Sequence, residues 1–332
     1  MEYFLKPRIG FIGAGSIAEF HIIAAQAVGF ELSAICARPK SIRAKALYEK
    51  YNINHNISEI SQFADLNLDA ISIIVSSESL LPIYNDLAQF QIPILIEKPV
   101  ALSINDFSKD LDLDKQNVLV GYNRRFYSAI QRIKTSLSLE PDPHFNWCIP
   151  ELSHAITSSS VERIKSIREN AVHTLDLIAY LFGPIENLVV KKQYDEIGFK
   201  SIAALLGFKF GSIGTLNLTF NLPMTQSAQI YLGSRVFQLD PVEFLKEYKE
   251  IEVKEPTQTF PMRTYSAIGP EWRIDPIDLR FKPGFYKQYQ ELMSMVLGNP
   301  RLIGASLRDA ENASRFAEML ISGDNLEETT NR

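Results

Sequence analysis

The stretch Arg8–His21, RIGFIGAGSIAEFH, carries the strongest fold signal in the chain. Its apolar run, which ends at Ile12, is too short for a helix and suits a buried parallel strand. The spacing Gly13-x-Gly15-x-x-Ala18 then lets the backbone turn sharply, leaves room for a pyrophosphate and lets a helix pack closely on the strand. Glycine turns after strands are common, so the spacing alone is a weak signal. Because it follows a strand and opens a helix, we predict a dinucleotide-binding loop made of Gly13, Gly15, Ser16 and Ile17.

Bulk composition limits the classes of protein to which the chain can belong. Its 332 residues, 46% apolar and 22% charged, are enough for two domains. A formal net charge of -5 argues against a nucleic-acid-binding surface, which needs clustered basic charge. No apolar run approaches the roughly twenty residues that span a bilayer, and no early segment resembles a secretion signal. We therefore expect a cytoplasmic protein that binds neither nucleic acid nor membrane.

The two cysteines, Cys36 and Cys148, do not indicate a disulfide framework or a cysteine metal site. Cys36 falls inside a strand that is predicted to be buried. Further along the chain, His173 with acidic residues on adjacent helical turns could suggest a metal site, but nothing else in the sequence supplies ligands. We predict no bound metal.

The second predicted strand, at 31–37, bears on the choice of cofactor. In dinucleotide-binding folds, an acidic residue at the tip of this strand binds the ribose 2′-hydroxyl, whereas an arginine there suits a 2′-phosphate. Here the tip is Ala37-Arg38, followed by Lys40, Ser41 and Arg43. Arg38 can hold a phosphate through two hydrogen bonds; alternatively, these basic residues form a solvated helix start. We predict that Ala37 and Arg38 contact the cofactor and that NADP is preferred over NAD.

Apolar strands and helices alternate through the first third of the chain. The pattern predicts a helix at 41–51, a strand at 70–75, a helix at 82–89 and strands at 92–96 and 117–121. This alternation is typical of an α/β fold with helices on both faces of a parallel sheet, so residues 1–122 are expected to form a doubly wound Rossmann domain. Ligands bind at the carboxyl ends of such strands. Ser76, Glu97 and Lys98 follow predicted strands and are expected to contact the cofactor.

The chain changes character after residue 122. A predicted helix at 127–137 is followed by residues 140–160, which hold three prolines and are typical of a loop with one strand at 145–149. A helix then opens at Arg168 and ends at Phe182-Gly183-Pro184, a strong stop signal. Spacings of three and four place Glu169, His173 and Asp176 on one side of its first turns.

Strand-like segments without intervening helices fill residues 186–253 and predict an antiparallel meander: 188–193, 202–210, 213–220, 228–232 and 236–239. Residues 254–283, with five prolines, are predicted to be loop. Helices are predicted at 284–297 and 307–321, the second capped by Ser306 with Asp309 in its first turn. Residues 123–322 are thus expected to form an α/β domain with an open, mostly antiparallel sheet, followed by a polar tail at 323–332. Because helices cover only one face of such a sheet, we expect the other face to pair in a homodimer or homotetramer.

In these features the chain resembles the Gfo/Idh/MocA family, named after glucose-fructose oxidoreductase, inositol dehydrogenase and rhizopine catabolism. The resemblance runs from Arg8 to about Ile321. Its markers are the glycine start with Ala18 and His21, the triplet Glu97-Lys98-Pro99, the run Gly121-Tyr-Asn-Arg-Arg-Phe126 and the pair His173-x-x-Asp176. The resemblance implies an NAD(P)-dependent dehydrogenase or reductase. Such an enzyme transfers a hydride between a nicotinamide and the CH–OH or ketone of a sugar, a sugar derivative or a nucleotide sugar.

The resemblance also implies roles for single residues. Lys98 would lie beside the nicotinamide and polarise the substrate oxygen, and His173 would be the general base in oxidation or the acid in reduction. Glu169 is implied as an acidic catalytic partner before that histidine. These roles fit the chemistry, since imidazole can exchange the hydroxyl proton while an ammonium stabilises a developing alkoxide. Substrate contacts are expected from Lys98, Asn123, Arg124, Arg168, Asn170, His173 and Asp176.

Three departures from the family pattern bear on the substrate. Ser76-Ser77 stands where the family usually has Thr-Pro, Leu81 replaces a usual histidine, and residues 165–170 replace a glycine-rich run. Basic side chains near these positions would suit an anionic substrate such as a nucleotide sugar, or are surface charges. They are Arg124, Arg125, Arg163, Lys165 and Arg168.

Two other classes of protein remain open. Some proteins that resemble this family only sense a dinucleotide and catalyse nothing. Others are NAD-dependent glycosidases, which oxidise a sugar transiently in order to eliminate its substituent. The presence of both Lys98 and His173 argues against a sensor.

Overall fold

The computed structural model describes residues 6–87, 89–109, 111–140, 142–151, 159–272 and 274–323. Residues 152–158 of the predicted loop and residues 324–332 of the predicted polar tail lie outside them. The chain divides into two compact units. The first comprises the chain up to Tyr127 together with Leu175–Leu177 and Pro276–Glu318. The second comprises Ser128–Thr174, Ile178–Asp275 and the residues from Met319.

The first unit contains a six-stranded parallel sheet. The strands are β1 (Arg8–Ile12), β2 (Glu31–Cys36), β3 (His55–Ile57), β4 (Ala70–Ile73), β5 (Ile94–Ile96) and β6 (Val118–Val120), and the helices among them are α1 (Ala18–Val28), α2 (Ile42–Tyr51) and α3 (Ser77–Leu87). The strand order is β3-β2-β1-β4-β5-β6, and all neighbours are parallel. This is the order of a dinucleotide-binding fold, with its switch point between β1 and β4. It confirms the predicted Rossmann fold.

Two elements of this unit differ from the sequence-based expectation. The strand β3 is not predicted, because it is a three-residue edge strand with largely exposed side chains and shows no buried alternation. The helix α3 begins at Ser77, well before the predicted start at Pro82, which lies inside the helix. Proline favours the first turn of a helix but does not always mark its first residue.

The second unit is built around an eight-stranded sheet. Its elements begin with α4 (Ser128–Leu137), β7 (His144–Glu151), α5 (Ser160–Ser166) and α6 (Val172–Phe182), and continue with β8 (Ile185–Tyr194), β9 (Phe199–Phe208), β10 (Ile213–Phe220), β11 (Ser227–Leu232), β12 (Arg235–Leu239), β13 (Leu245–Tyr248), β14 (Glu250–Lys254), β15 (Thr264–Ile268) and β16 (Glu271–Trp272). The strand order is β16-β13-β12-β11-β7-β10-β9-β8. The neighbours are antiparallel except for β7 and β10, which confirms the predicted open, mostly antiparallel sheet.

The position of β7 corrects the predicted meander. This strand comes from the proline-containing segment predicted to be mainly loop, yet it lies in the middle of the sheet between β11 and β10. Its alternate residues Phe145, Trp147 and Ile149 are buried, and the Phe145 ring stacks on Phe182 of α6 with centroids 4.2 Å apart. The strand predicted at 145–149 is therefore present and slightly longer, but its central position in the sheet was not predicted.

The prediction of loop over 254–283 is also wrong. The strands β14 and β15 pair as an antiparallel hairpin, β16 pairs with β13, and a short helix, α7 (Pro276–Arg280), follows. The side chains of the hairpin are almost all exposed, so no burial of one face imposes the alternation that a sequence pattern could detect.

The last two helices, α8 (Phe285–Val296) and α9 (Leu307–Ser322), match their predicted positions closely. The predicted cap of α9 is confirmed, because the Asp309 backbone N–H donates to Ser306 Oγ at 3.0 Å and the Ser306 N–H donates to the Asp309 carboxylate at 2.7 Å. The helix α8 packs on α1 through its apolar face, with Phe285, Tyr289 and Leu292 fully or almost fully buried. A single domain boundary at residue 122 therefore does not follow the packing, since residues 276–318 belong to the first unit.

Within the part of the chain that the structure describes, no helix has both the length and the apolar character needed to cross a bilayer.

Candidate active site

The two glycines of the first loop have different structural roles. Gly13 has φ +107°, and a Cβ on it would lie 2.0 Å from the Ile74 carbonyl oxygen, so the fold requires glycine there. The Gly13 N–H donates to the Cys36 carbonyl at 2.8 Å, which ties the loop to the end of β2. A Cβ on Gly15 would meet no atom within 4 Å. The fold therefore leaves open space at Gly15, as the predicted approach of a pyrophosphate needs.

A cavity of about 760 Å³ opens beside this loop, inside the first unit. Its lining includes seven of the predicted cofactor-binding residues, namely Gly13, Gly15, Ser16, Ile17, Ala37, Arg38 and Ser76. The other two, Glu97 and Lys98, do not line it. None of the described residues that line the cavity is acidic.

The end of the cavity near β2 is polar and basic. Arg38, Ser41 and Arg43 line it, and both arginines are exposed. Ser41 also caps α2, because its Oγ accepts the Ala44 N–H at 3.2 Å. Burial raises the pKa of the Cys36 thiol to about 11, and the charge of Glu59 adds to the effect, so the only cysteine in the lining is a neutral thiol near neutral pH.

The sequence analysis missed two serines of this lining, Ser58 and Ser79. Ser58 follows the unpredicted strand β3, and Ser79 lies in the first turn of α3, ahead of the predicted start of that helix. Only a correct prediction of β3 and of the start of α3 could have placed Ser58 and Ser79 in the lining.

Glu97 and Lys98 lie at the carboxyl end of β5, and the Lys98–Pro99 peptide bond is cis. Lys98 is half-buried, whereas Glu97 is buried and turned towards His21 of α1, with Glu97 Oε1 and His21 Nε2 3.0 Å apart. The two atoms are within ion-pair distance, but the pair carries two charges only when the imidazole is protonated, and the ring nitrogen makes no regular hydrogen bond. Burial acts to raise the pKa of Glu97, but His21 and then Lys98 outweigh it and lower that pKa. The structure therefore places a carboxylate directly beside the predicted catalytic lysine.

The predicted catalytic histidine lies in an irregular helical segment of the second unit. The helical path begins at α5, passes through a π-helical turn at Ile167–Ala171 and continues into α6. His173 is half-buried at the second position of α6. The wider π turn carries Arg168, Glu169 and Asn170, so regular spacings of three and four do not hold there.

The side chains of the π turn have partners of their own. Glu169 Oε1 lies 3.7 Å from the Lys165 ammonium. The Asn170 side-chain amide donates to Glu151 Oε2 at 3.4 Å, and Ser166 Oγ donates to the same oxygen at 2.5 Å. Glu151 is buried at the end of β7 and is not predicted from the sequence, because the strand predicted at 145–149 stops before it.

The Asp176 carboxylate is engaged by an arginine from a distant segment of the chain. It is 1% exposed and pairs with Arg125, which contacts both of its carboxylate oxygens. Burial raises the pKa of Asp176 to about 6 although Arg125 opposes the shift. Burial alone would lower the pKa of Arg125, but Asp176 and Asp309 outweigh it and raise that pKa. This geometry supports a structural ion pair, and the expected place of Asp176 beside Glu169 and His173 stays a prediction.

Two more of the singled-out side chains are engaged within the protein. The Asn123 amide donates to the Pro283 carbonyl at 2.8 Å. Arg163 is 2% exposed and donates to both Asp195 oxygens, at 2.8 and 2.9 Å. Of the basic set, Arg125 and Arg163 are therefore buried ion-pair partners, whereas Arg124, Lys165 and Arg168 are at least partly exposed. Burial of long cationic side chains needs such pairing, and sequence alone does not show it.

Among the described residues, no three His, Cys, Asp or Glu side chains lie close enough together to hold a metal ion.

The fold and the cavity define a class of protein: an NAD-binding Rossmann domain joined to an α/β domain with an open sheet. Comparison with known families agrees, because residues 7–123 match the GFO_IDH_MocA model, described as "Oxidoreductase family, NAD-binding Rossmann fold". The match covers the N-terminal domain, and over that domain it confirms the resemblance to the Gfo/Idh/MocA oxidoreductase family found in the sequence.

Individual relatives are distant. The chain is 23% identical to the "Uncharacterized oxidoreductase YrbE" of Bacillus subtilis (strain 168) over 226 residues, which are 63% of this chain and 60% of that protein. Among solved structures, it is similar to an oxidoreductase from Agrobacterium radiobacter in complex with NAD+, L-tartaric acid and magnesium (TM-score 0.72, 18% identity, 96% of each chain covered). It is also similar to the UDP-N-acetylglucosamine 3-dehydrogenase GnnA from Acidithiobacillus ferrooxidans (TM-score 0.72, 14% identity, 96% of this chain and 98% of that one).

Proposed function

We propose that the protein is an NAD(P)-dependent dehydrogenase or reductase that transfers a hydride between a nicotinamide and a CH–OH or ketone carbon. The observation that carries the proposal is the open space at Gly15, in a cavity lined by seven residues predicted to bind a dinucleotide. The open space at Gly15 serves no packing purpose. By contrast, the backbone conformation at Gly13 in the same loop itself requires glycine. Bound cofactor would supply the hydride acceptor or donor.

The reaction needs two further groups from the chain. Oxidation of CH–OH removes a hydride from carbon and a proton from oxygen, so a base must take the proton. In this proposal His173 exchanges that proton and Lys98 polarises the oxygen. Glu169, in the π turn that precedes His173, completes the proposed catalytic set. The π turn before His173 supports this assignment, since such turns occur frequently at functional sites.

We further propose that NADP is preferred over NAD. Support comes from the end of the cavity near β2, where Arg38 and Arg43 are exposed and none of the described lining residues is acidic. Glu59 lies in sequence between two residues of the lining, but its side chain caps a 3-10 turn by accepting a backbone N–H. The family description and the Agrobacterium structure refer to NAD. The local charge of this chain is the reason to expect otherwise.

The substrate class that we propose is a sugar, a sugar derivative or a nucleotide sugar. Arg124 and Arg168 are partly exposed and would favour an anionic substrate. The similarity to a UDP-N-acetylglucosamine 3-dehydrogenase points in the same direction. Substrate contacts are assigned to Lys98, Asn123, Arg124, Arg168, Asn170 and His173. Asp176 is a further proposed contact, although its carboxylate is buried and held by Arg125.

Assembly into a homodimer or homotetramer is proposed from the open face of the second sheet. Val189, Leu205 and Ile213, on β8, β9 and β10, are 42%, 51% and 56% exposed. The outward-facing residues near the centre of the sheet are polar. The Thr215 hydroxyl donates to the Asn146 side-chain oxygen at 2.6 Å, and the Asn146 side-chain amide donates to the Tyr231 hydroxyl at 3.3 Å. The alternate apolar residues Leu216, Leu218 and Phe220 of β10 are buried and do not contribute to this open face. Sedimentation that shows only monomer at micromolar concentration would contradict the assembly.

One assay separates the proposed enzyme from its two rivals. The protein is incubated with oxidised or reduced cofactor and a panel of nucleotide sugars, inositols and simple hexoses. Net change in nicotinamide absorbance with one of these supports the dehydrogenase. Cleavage of a glycoside without net cofactor change indicates an NAD-dependent glycosidase, and cofactor binding with no reaction at all indicates a sensor.

A further inference from the structure

We propose that Glu97 and His21 are positioning residues for Lys98. This inference rests on the function proposed above, in which Lys98 polarises the substrate oxygen. It adds two buried groups, neither of which lines the cofactor cavity. It also reassigns Glu97, expected from the sequence to contact the cofactor, to a role in holding the lysine.

The carboxylate of Glu97 is fixed on three sides. Its Oε1 lies 3.0 Å from His21 Nε2, and its Oε2 accepts the backbone N–H of Lys98 at 3.2 Å. On the third side it packs against Gly121, where an added Cβ would lie only 2.8 Å from Oε1. The carboxylate therefore cannot rotate without breaking one of these contacts. Because Oε2 binds the backbone of Lys98 itself, its position sets where the lysine side chain begins.

The ring of His21 is fixed as firmly as the carboxylate that it contacts. It is completely buried, its Nδ1 lies 3.0 Å from Tyr289 Oη, and its centroid lies 4.7 Å from that of Phe285. Tyr289 Oη in turn lies 2.9 Å from Ser72 Oγ. A continuous polar chain thus runs from Ser72 in β4 through Tyr289 in α8 and His21 in α1 to Glu97 at the end of β5. Buried polar contacts of this kind restrict the movement of the side chains that they join, although His21 Nε2 meets Glu97 by distance and not by a regular hydrogen bond.

The competing explanation is that these four polar side chains only stabilise the packing of α1 and α8 on the sheet. In that case their variants lower thermal stability but leave the chemistry of Lys98 unchanged. A positioning role predicts that the variants also change Lys98, because the charge and orientation of Glu97 act on the lysine ammonium. A negative charge next to an ammonium favours its protonated form. The reactivity of Lys98 therefore distinguishes the two explanations, and it can be measured without a substrate.

The test is trace acetylation of the full-length protein at a series of pH values, with the labelled fraction of Lys98 determined by mass spectrometry. Glu97→Gln is expected to move the midpoint of Lys98 labelling down by about one pH unit, which is about tenfold faster labelling below the midpoint. His21→Gln is expected to change the labelling rate of Lys98 by about threefold or more, since the carboxylate loses its anchor. Ser33→Ala is the matched control. Ser33 is a fully buried serine of the sheet that does not belong to the polar chain from Ser72 to Glu97, so its replacement should leave the labelling of Lys98 unchanged.

Lys98 labelling that is identical in wild type, Glu97→Gln, His21→Gln and Ser33→Ala would overturn the proposal. Should Glu97→Gln not fold, His21→Gln carries the same test. Shifted labelling in a protein that turns over no sugar supports the positioning role and refutes the proposed function, so the two failures are distinguishable. Where turnover is found, both variants are expected to lower kcat about tenfold or more while KM for the cofactor stays within about twofold.

Discussion

Arg125 holds both carboxylate oxygens of Asp176, with Nε 2.9 Å from Oδ2 and Nη2 2.6 Å from Oδ1. The pair is buried, and Arg125 also lies 3.4 Å from Asp309. Replacement of Asp176 by asparagine would leave a buried guanidinium facing a neutral group. We expect Asp176→Asn to lower the free energy of unfolding by about 3–5 kcal/mol, the usual cost of breaking a buried pair.

Urea denaturation measures this effect, and Asp114→Asn is the control. Asp114 forms a fully exposed pair with Arg308 at 2.6 Å, so its loss should change stability little. A stable Asp176→Asn protein whose only defect is weaker substrate binding would instead support Asp176 as a substrate contact, as expected from the sequence.

The two loop glycines should respond in opposite ways to the same substitution. Gly13→Ala places a Cβ in contact with the Ile74 carbonyl and forces φ +107° on alanine. We expect it to destabilise the protein by more than about 1 kcal/mol. Gly15→Ala meets open space and should change stability by no more than about 0.5 kcal/mol, yet weaken dinucleotide binding about tenfold or more.

Thermal denaturation and calorimetric titration of both variants provide the comparison. Unchanged dinucleotide affinity in a folded Gly15→Ala protein would mean that the pyrophosphate does not approach this loop.

Cofactor preference should depend on two adjacent residues at the end of β2. Arg38→Ala removes a charged hydrogen-bond donor worth about 1.5–3 kcal/mol, so NADP(H) affinity should fall at least about tenfold while NAD(H) affinity stays nearly constant. Ala37→Asp supplies a carboxylate for the ribose hydroxyls and should favour NAD(H). Lys45→Ala is the control, since it removes the same charge from α2 outside the cavity lining.

Calorimetry with all four dinucleotides gives these affinities. Equal or tighter binding of NAD by the wild-type protein would refute the NADP preference and leave Arg38 as a surface residue.

The sequence predicted the fold well where burial follows a simple period. The strands β1, β2 and β4 are almost entirely buried, and their apolar runs mark them clearly. The hairpin of β14 and β15 is exposed, and β3 is a short edge strand, so neither leaves such a pattern. The central place of β7 depends on pairing with strands more than sixty residues later. No local pattern encodes such a partner.

The candidate site likewise contains features that the sequence predicts and features that it does not. Loop residues such as Gly13 and Gly15 are recognisable because their backbone geometry demands a residue type. The engagement of Asp176 by Arg125 and of Glu97 by His21 arises from contacts between distant segments, which residue spacing does not reveal. The π turn at 167–171 likewise has no sequence signal that we recognise, and it changes which side chains share a face with His173.

Acid should weaken the second unit through Asp195. Its hydrogen bonds from Arg163 lower the pKa of that carboxyl to about 2, below its unfolded value. A lowered folded pKa contributes stability that is fully present above the unfolded pKa of about 4 and is lost as the pH falls towards the folded value of about 2. Asp195→Asn should therefore remove part of the loss of stability between about pH 4 and about pH 2.

Urea denaturation of wild type and variant at several pH values in this window measures the difference, and salt screens the effect because Asp195 is partly exposed. Parallel pH profiles of the two proteins would show that the Arg163–Asp195 pair does not contribute.

Turnover by Lys98→Met and His173→Ala tests the central claim most directly. On the substrate that the panel identifies, we expect each substitution to lower kcat about a hundredfold or more, the usual scale for loss of a positioned acid, base or charge. Dinucleotide affinity, measured by calorimetry on the same samples, should stay within about twofold of wild type, because neither residue lines the cofactor cavity. Turnover that survives both substitutions nearly unchanged, with cofactor still bound, would contradict the assignment of Lys98 and His173 as the catalytic pair.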